Sequence, residues 1–180
     1  MPAKDVGRTE VERIASSLVR VEDEHVAGLT AFLQDVDLTL SALDSPDVFL
    51  WIDRDGAGRI TGSTGFELSA DRRHALIRSV AVHPSARRAG YGSALARFAL
   101  DAAAREGAQS AWLFSRRSGP FWQKLGFEHA NRDELAAVLP DAHQVRLFVE
   151  SGQLQREVAW SRRLDHASPH ERTGPRQPFA

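Results

Sequence analysis

The chain has 180 residues, 42% of them apolar and 26% charged, with a formal net charge of −1. That length suits one domain with a full hydrophobic core, and the near-zero charge argues against nucleic acid as the main partner. There is no cysteine, which removes a thiol nucleophile, a disulfide framework and thiolate metal sites. No apolar run approaches the roughly 20 residues of a membrane span, and no signal-peptide core is present, so the expectation is a cytoplasmic protein with no membrane and no metal.

Residues 1–8 are polar and read as a flexible N-terminus. Residues 9–18 carry Val11, Ile14 and Leu18 in a weak pattern that suits a strand or the start of a helix; a strand is expected. Residues 22–35 read as a helix, with acidic residues in the first turn and Val26, Leu29, Phe32 and Leu33 along one face. A short apolar segment at 38–43 is broken by Asp44-Ser45-Pro46.

Val48-Phe49-Leu50-Trp51-Ile52 is a buried-strand run, and a turn cluster at 53–58 leads into a glycine-rich strand at 59–68. The pair reads as a hairpin, and the glycines of its second strand imply a bulge or the close approach of another backbone. Residues 75–82 continue as a third antiparallel strand. A helix is expected from Gly92 to about Arg105, then a strand at 111–115, which together imply a right-handed crossover and a parallel pair. A short helix at 121–125, a strand at 127–130, helices at 132–139 and 142–148 and a last strand at 154–164 complete one domain spanning 9–164. Residues 165–180 read as a disordered tail. The order of elements predicts a mixed α/β sheet, mostly antiparallel, flanked by helices.

Arg87-Arg88-Ala89-Gly90-Tyr91-Gly92 follows the pattern Arg-x-x-Gly-x-Gly between a strand and a helix. Glycines let successive amides point into one concavity, and the following helix adds the positive end of its dipole. Such a loop suits a pyrophosphate. It lacks the three glycines of the dinucleotide fingerprint and the Gly-Lys-Ser/Thr of a Walker loop.

That loop, the strand ending Val80-Ala81-Val82-His83-Pro84 and the later Phe121-Trp122-Gln123-Lys124-Leu125-Gly126-Phe127 together resemble the GNAT N-acetyltransferase family. The resemblance covers about residues 48–127. It implies the family's acyl-CoA N-acyltransferase fold and acetyl-CoA as co-substrate. By it, the backbone of Val80 and Val82 would pair with the pantetheine arm, and the amides of Arg87, Arg88, Ala89, Gly90, Tyr91, Gly92 and Ser93 would take the pyrophosphate. Trp122 would lie beside the cofactor arm, at the position where many members carry a tyrosine that protonates the leaving thiolate. More loosely, Glu67-Leu68, the strand 76–82, Leu113-Phe114-Ser115 and the 132–140 stretch resemble the arsenic-resistance-associated and amino-acid N-acetyltransferases. That subgroup implies a small, amino-acid-like amine acceptor.

Amide formation from a thioester needs a neutral amine, a polarised carbonyl and a route out for the thiolate. Without cysteine, direct attack in a ternary complex is the natural route. Glu67 is the candidate base, against a plain solvated strand-end carboxylate. The N–H of Val80 or Ala81 would polarise the thioester oxygen. Ser115 or water would supply the proton that Trp122 cannot. Arg78, a charge in an apolar strand, would fork onto an acceptor carboxylate or onto Glu67. The expected partner is a small-molecule amine, with homodimerisation left open. The alternatives are acetylation of a protein N-terminus or lysine, and a catalytically inactive acyl-CoA sensor.

Overall fold

The computed structural model of the chain describes residues 3–165, with side chains from residue 10 onward. In chain order the elements are α1 (Ala3–Ser17), β1 (Val19–Arg20), α2 (Asp23–Asp35), β2 (Val48–Arg54), β3 (Ile60–Leu68), β4 (His74–Val82), α3 (Tyr91–Arg105), β5 (Ser110–Phe114), α4 (Gly119–Lys124), β6 (Glu128–Ala130), α5 (Arg132–Val138), α6 (His143–Glu150) and β7 (Ala159–Arg163). The described strands make one seven-stranded sheet in the order β1-β2-β3-β4-β5-β7-β6. Only β4 and β5 run parallel, as the crossover through α3 requires. The mixed, mostly antiparallel α/β sheet read from the sequence is therefore the observed one.

The hairpin of β2 and β3 turns on Asp55, whose Oδ1 accepts from the N–H groups of Ala57 and Arg59. Both expectations for the glycines of β3 hold. A Cβ on Gly65 would lie 2.3 Å from the Phe49 carbonyl oxygen. The register against β2 shifts where Gly62 faces Asp53 and Ile60 faces Arg54, leaving Thr61 as the extra residue of a bulge in β3.

The strand period of two divides the core between two faces. On one face Phe66, Ile77, Ala111 and Leu113 meet α3 and the Trp122, Leu125 and Phe127 region. On the other, Val48, Leu50 and Ile52 meet Leu29, Phe32 and Leu33 of α2, while Leu76 and Trp112 meet Leu135 and Val145 of α5 and α6. Burying each such large apolar side chain contributes about 1.5–3 kcal/mol.

Three sequence readings are corrected. The strand expected at 9–18 is helix α1, because Val11, Ile14 and Leu18 are spaced i, i+3, i+7; Ile14 is fully buried against Tyr91, Ala94 and Leu95 of α3. Residues 3–8, expected to be flexible, are the first turns of the same helix. The last strand begins at Ala159 rather than 154: Gln153–Arg156 is a 3₁₀ turn, closed by Glu157 N–H donating to the Leu154 carbonyl at 3.0 Å. The tail read as disordered lies, beyond Asp165, outside the described residues.

Candidate active site

The parallel pairing of β4 with β5 spans only His74–Leu76 against Ser110–Trp112. Beyond it the strands part, and the bulge in β4 marks the divergence. Ser63 faces Ala81 and Gly65 faces Arg78, so Ser79 and Val80 share one place opposite Thr64. Ser79 takes φ +56, and its carbonyl accepts from Ser63 Oγ at 2.6 Å. A bulge bends its strand and frees backbone groups from the ladder. The outer edge from Ile77 to Val80 therefore lines a cleft of about 100 Å³, with Ser115, Ser118 and Trp122 opposite. Through Leu38, Thr39, Phe114, Ser115, Ser118 and Gln144 this cleft shares walls with a larger cavity of about 410 Å³.

At the far end of β4, past Ala81 and Val82, the chain enters the glycine loop. His83 Nδ1 accepts from Ser85 N–H at 3.1 Å and starts the 3₁₀ turn Pro84–Ala86. Gly90 precedes α3 with φ +81, a left-handed conformation that favours glycine, and gives the helix no side-chain cap. The first-turn amides of α3 include those of Tyr91, Gly92 and Ser93 and lack i−4 partners within the helix. A Cβ built on Gly90 meets nothing within 4 Å, and one on Gly92 comes no nearer than 3.6 Å, to Phe121. Arg87, Arg88, Ala89 and Gly90 are all exposed. An open, uncapped, amide-rich concavity fits a pyrophosphate.

The side chains of this loop divide. Arg88 is already engaged: it pairs with Glu10 of α1 at 2.7 Å and lies 3.9 Å from the centre of the Tyr91 ring. Tyr91 turns inward, fully buried, and donates its hydroxyl to Asp53 at 2.8 Å. Burial, followed by the neighbouring Asp53 carboxylate, pushes its phenol up to about 12. Of Tyr91 only the backbone faces the loop, and its N–H already donates to the Arg88 carbonyl at 3.3 Å. A Cβ on Gly62 would sit 2.6 Å from that hydroxyl, so the second close approach in β3 is made by a side chain. Arg87 makes no ion pair with a described residue and lines the larger cavity.

Glu67 and Arg78 lie together. Arg78 Nη1 donates to Glu67 Oε2 at 2.9 Å, with side-chain exposures of 0% and 3%. Arg78 Nη2 donates to the Ser41 carbonyl at 2.8 Å. Burial lowers the guanidinium pKa while Glu67 opposes the fall. Glu67 also accepts from the N–H groups of His143 at 2.6 Å and Gln144 at 3.3 Å. Those are the first residues of α6, whose N-cap, Ala142, has no capping side chain. The carboxylate of β3 thus caps a helix from another part of the chain. Both of its oxygens are engaged, and it lines neither the cleft nor the larger cavity. Of the two partners the sequence left open for Arg78, the structure places it on Glu67.

Ser115 Oγ accepts from Ser118 N–H at 3.1 Å, which leaves its own proton free to donate into the cleft. Trp122 is 7% exposed on the cleft wall. Three cleft or cavity residues escaped the sequence reading. Gln144 Nε2 donates to Thr39 Oγ1 at 2.9 Å on the wall shared by the cleft and the larger cavity. Glu157 lines the larger cavity from the turn before β7. Nothing in the local sequence marks Thr39 or Gln144; a carboxylate beside the apolar Val158-Ala159-Trp160 was the one signal for Glu157. Among the described residues no group of three or more His, Asp or Glu is placed to hold a metal ion, and no helix is long and apolar enough to cross a membrane.

A family model described as the acetyltransferase (GNAT) family matches residues 17–127. Among solved structures, N-acetylglutamate synthase from Neisseria gonorrhoeae, complexed with coenzyme A and N-acetyl-glutamate, superposes with a TM-score of 0.60 at 19% identity, covering 83% of this chain and 35% of that one. The chain thus spans about a third of that protein's length. An acetyltransferase of the GNAT family from Staphylococcus aureus Mu50 gives 0.63 at 12% identity, covering 82% and 98% of the two chains. Rv2747 from Mycobacterium tuberculosis, in complex with CoA and NLQ, gives 0.62 at 16%, again covering 82% and 98%. At these identities the likeness is one of fold. No curated protein matches the chain.

Proposed function

The chain belongs to the acetyltransferase (GNAT) family, and we propose that it moves the acetyl group of acetyl-CoA to the amine of a small, amino-acid-like acceptor by direct attack in a ternary complex. The observation that carries this reading is the parting of β4 and β5 beyond Leu76 and Trp112, in line with the uncapped start of α3. The amides of residues 87–90 and of Gly92 and Ser93 hold the pyrophosphate, assisted by the exposed Arg87. The freed edge of Val80, Ala81 and Val82 pairs with the pantetheine arm, and a bulge N–H polarises the thioester oxygen. Ser115 stands opposite that edge and offers the departing thiolate a proton. Glu67, saturated by its three donors, acts here by fixing α6 rather than as the base.

A small acceptor is favoured over a protein because Gln144 and Thr39 close the acceptor side. One solved complex supports the amino-acid-like class: the Neisseria protein is complexed with coenzyme A and N-acetyl-glutamate. One observation favours a second reading, an acyl-CoA sensor. The sole tyrosine hydroxyl is turned onto Asp53, so no phenol serves the cleft. Thiol release from acetyl-CoA over a panel of amines and amino acids decides between them. Release with at least one amine well above the amine-free rate is expected; binding of acetyl-CoA without release leaves the sensor.

A further inference from the structure

We propose that Glu157 is the carboxylate that receives the acceptor's ammonium group and takes its proton. This inference rests on the acetyltransferase reading. The acceptor amine arrives mostly protonated near neutral pH, so the cavity beside the thioester needs an anion that can hold the ammonium and then accept a proton. Two carboxylates line the cavity, Asp37 and Glu157. Asp37 is 82% exposed and sits 3.5 Å from Arg117 at the rim. Glu157 is only 6% exposed.

The surroundings of Glu157 leave it half-used. Gln153 Nε2 donates to Oε1 at 2.8 Å, and Arg116 Nε lies 3.6 Å from the same oxygen. No described residue donates a hydrogen bond to Oε2, although the buried polar atoms without a partner do not include it. Oε2 is therefore open to solvent rather than held by the protein, and Glu157 lines both this cavity and a neighbouring one of about 350 Å³ beside Arg132 and Val158. A buried carboxylate with an oxygen left for a ligand is costly unless that ligand is a donor, preferably a cation. The contrast with Glu67, which has three protein donors, is what separates a structural carboxylate from a working one here.

The other charged groups fix the orientation. Arg116 and Arg117 from the β5–α4 connection and Arg87 from the glycine loop line the same cavity, and Arg132 of α5 holds the Glu157 carbonyl at 3.3 Å. The three guanidinium groups disfavour an ammonium over most of the cavity, leaving the carboxylates of Glu157, in the wall, and Asp37, at the rim, to attract it. Leu38, Phe114 and Phe148 supply the apolar wall. The acceptor class is thus one ammonium on an apolar body, and the same charges disfavour a polyamine. In the step itself, Glu157 takes one ammonium proton. The neutral amine forms a C–N bond at the thioester carbonyl carbon as the C–S bond breaks. The proton that nitrogen loses on becoming an amide goes to the sulfur, through Ser115 or water, and Glu157 returns its proton to solvent.

The test compares the protein with its Glu157→Gln and Glu157→Asp variants, using 2-phenylethylamine and its neutral isostere 2-phenylethanol. Calorimetry reads acetyl-CoA binding, and then binding of each probe to the CoA-loaded protein; thiol release reads turnover of the amine. Glu157→Gln should leave acetyl-CoA affinity within twofold, lower turnover by roughly 100-fold or more, and erase the preference for amine over alcohol, with Glu157→Asp recovering part of both. Turnover in Glu157→Gln within threefold of wild type overturns the inference. Should that variant fail to fold, the wild type still decides: the amine must bind at least 10-fold tighter than the alcohol, and equal or absent binding of the amine overturns the assignment. A wild type that does not bind acetyl-CoA refutes the acetyltransferase reading instead, which separates the two failures.

Discussion

Replacing Arg78 with methionine removes one member of a buried ion pair and leaves the other behind. Methionine keeps an unbranched side chain of similar reach, so the cost falls on charge and hydrogen bonding rather than on volume. Arg78 Nη1 bonds Glu67 at 2.9 Å and Nη2 bonds the Ser41 carbonyl at 2.8 Å. After the change, the Glu67 carboxylate, 3% exposed, keeps only the amides of His143 and Gln144. Breaking a buried pair in this way costs about 3–5 kcal/mol. For a chain of this size each kcal/mol moves the midpoint by roughly 2–4 °C, so Tm should fall by roughly 6–20 °C. A Glu67→Met change should cost a similar amount, since it also strips the cap from α6. The double variant should cost clearly less than the sum, because no charge is then left uncompensated. Differential scanning calorimetry on the four proteins gives the cycle. An Arg78→Met protein that melts within about 2 °C of wild type, with KM for a carboxylated amine raised at least 10-fold, would refute this reasoning and move Arg78 to the acceptor.

Gly90→Val should abolish acetyl-CoA binding by calorimetry while the fold persists, since a β-branched residue is strained at φ +81 and its Cβ enters the open space meant for phosphate; retained affinity would sink the phosphate-loop assignment. The single tyrosine makes a spectrophotometric titration clean: Tyr91 should ionise near about 12 in the folded protein. Its folded pKa lies above the unfolded value of about 10. That contribution to stability is therefore complete below about pH 10 and lost as pH rises toward 12, so chemical denaturation midpoints should fall across that window. Gly62→Ala should cost about 1–3 kcal/mol by overpacking, because its Cβ meets the Tyr91 hydroxyl at 2.6 Å and Leu95 at 2.9 Å. The same variant should bring the Tyr91 titration down toward the ordinary range as the hydroxyl is displaced from Asp53.

The strand, glycine loop and helix start proposed for the cofactor were legible in the sequence as elements, because their signals are local. Glycines at 90 and 92, the break at Pro84 and the apolar strand before it all lie within residues 74–92, and the loop is built largely from backbone. The acceptor half was not. Whether Glu67 meets Arg78 depends on the β3–β4 register, and that register shifts at a bulge that no single residue type announces. Thr39 and Gln144 touch only because α2's trailing segment and α6 pack on the same sheet face. Glu157 was read as part of a strand because Val158-Ala159-Trp160 follows it; its place on the cavity follows from the 3₁₀ turn before it. Helix α1 was misread for a simpler reason: a three-residue pattern of Val11, Ile14 and Leu18 fits two periods, and the partner that decides between them, Tyr91, lies far away in sequence.

These two halves also differ in how they could change. The proposed pyrophosphate cradle depends on amides, a helix end and two glycines, so side-chain substitution offers it few alternatives. The acceptor side depends on a knot at Glu67, which joins β3 to β4 through Arg78, to α6 through the amides of His143 and Gln144, and through Arg78 to the carbonyl of Ser41. With that knot in place, Gln144 and Thr39 are held at 2.9 Å, and the cavity beyond them keeps its shape whatever side chains line it. Leu38, Phe114 and Phe148 hang on this frame without bearing it. A change of acceptor is then expected at those three positions, with Glu67, Arg78 and Glu157 kept. Exchanging Glu67 or Arg78 would instead release α6 and open the cavity to water, whose exclusion a thioester aminolysis requires.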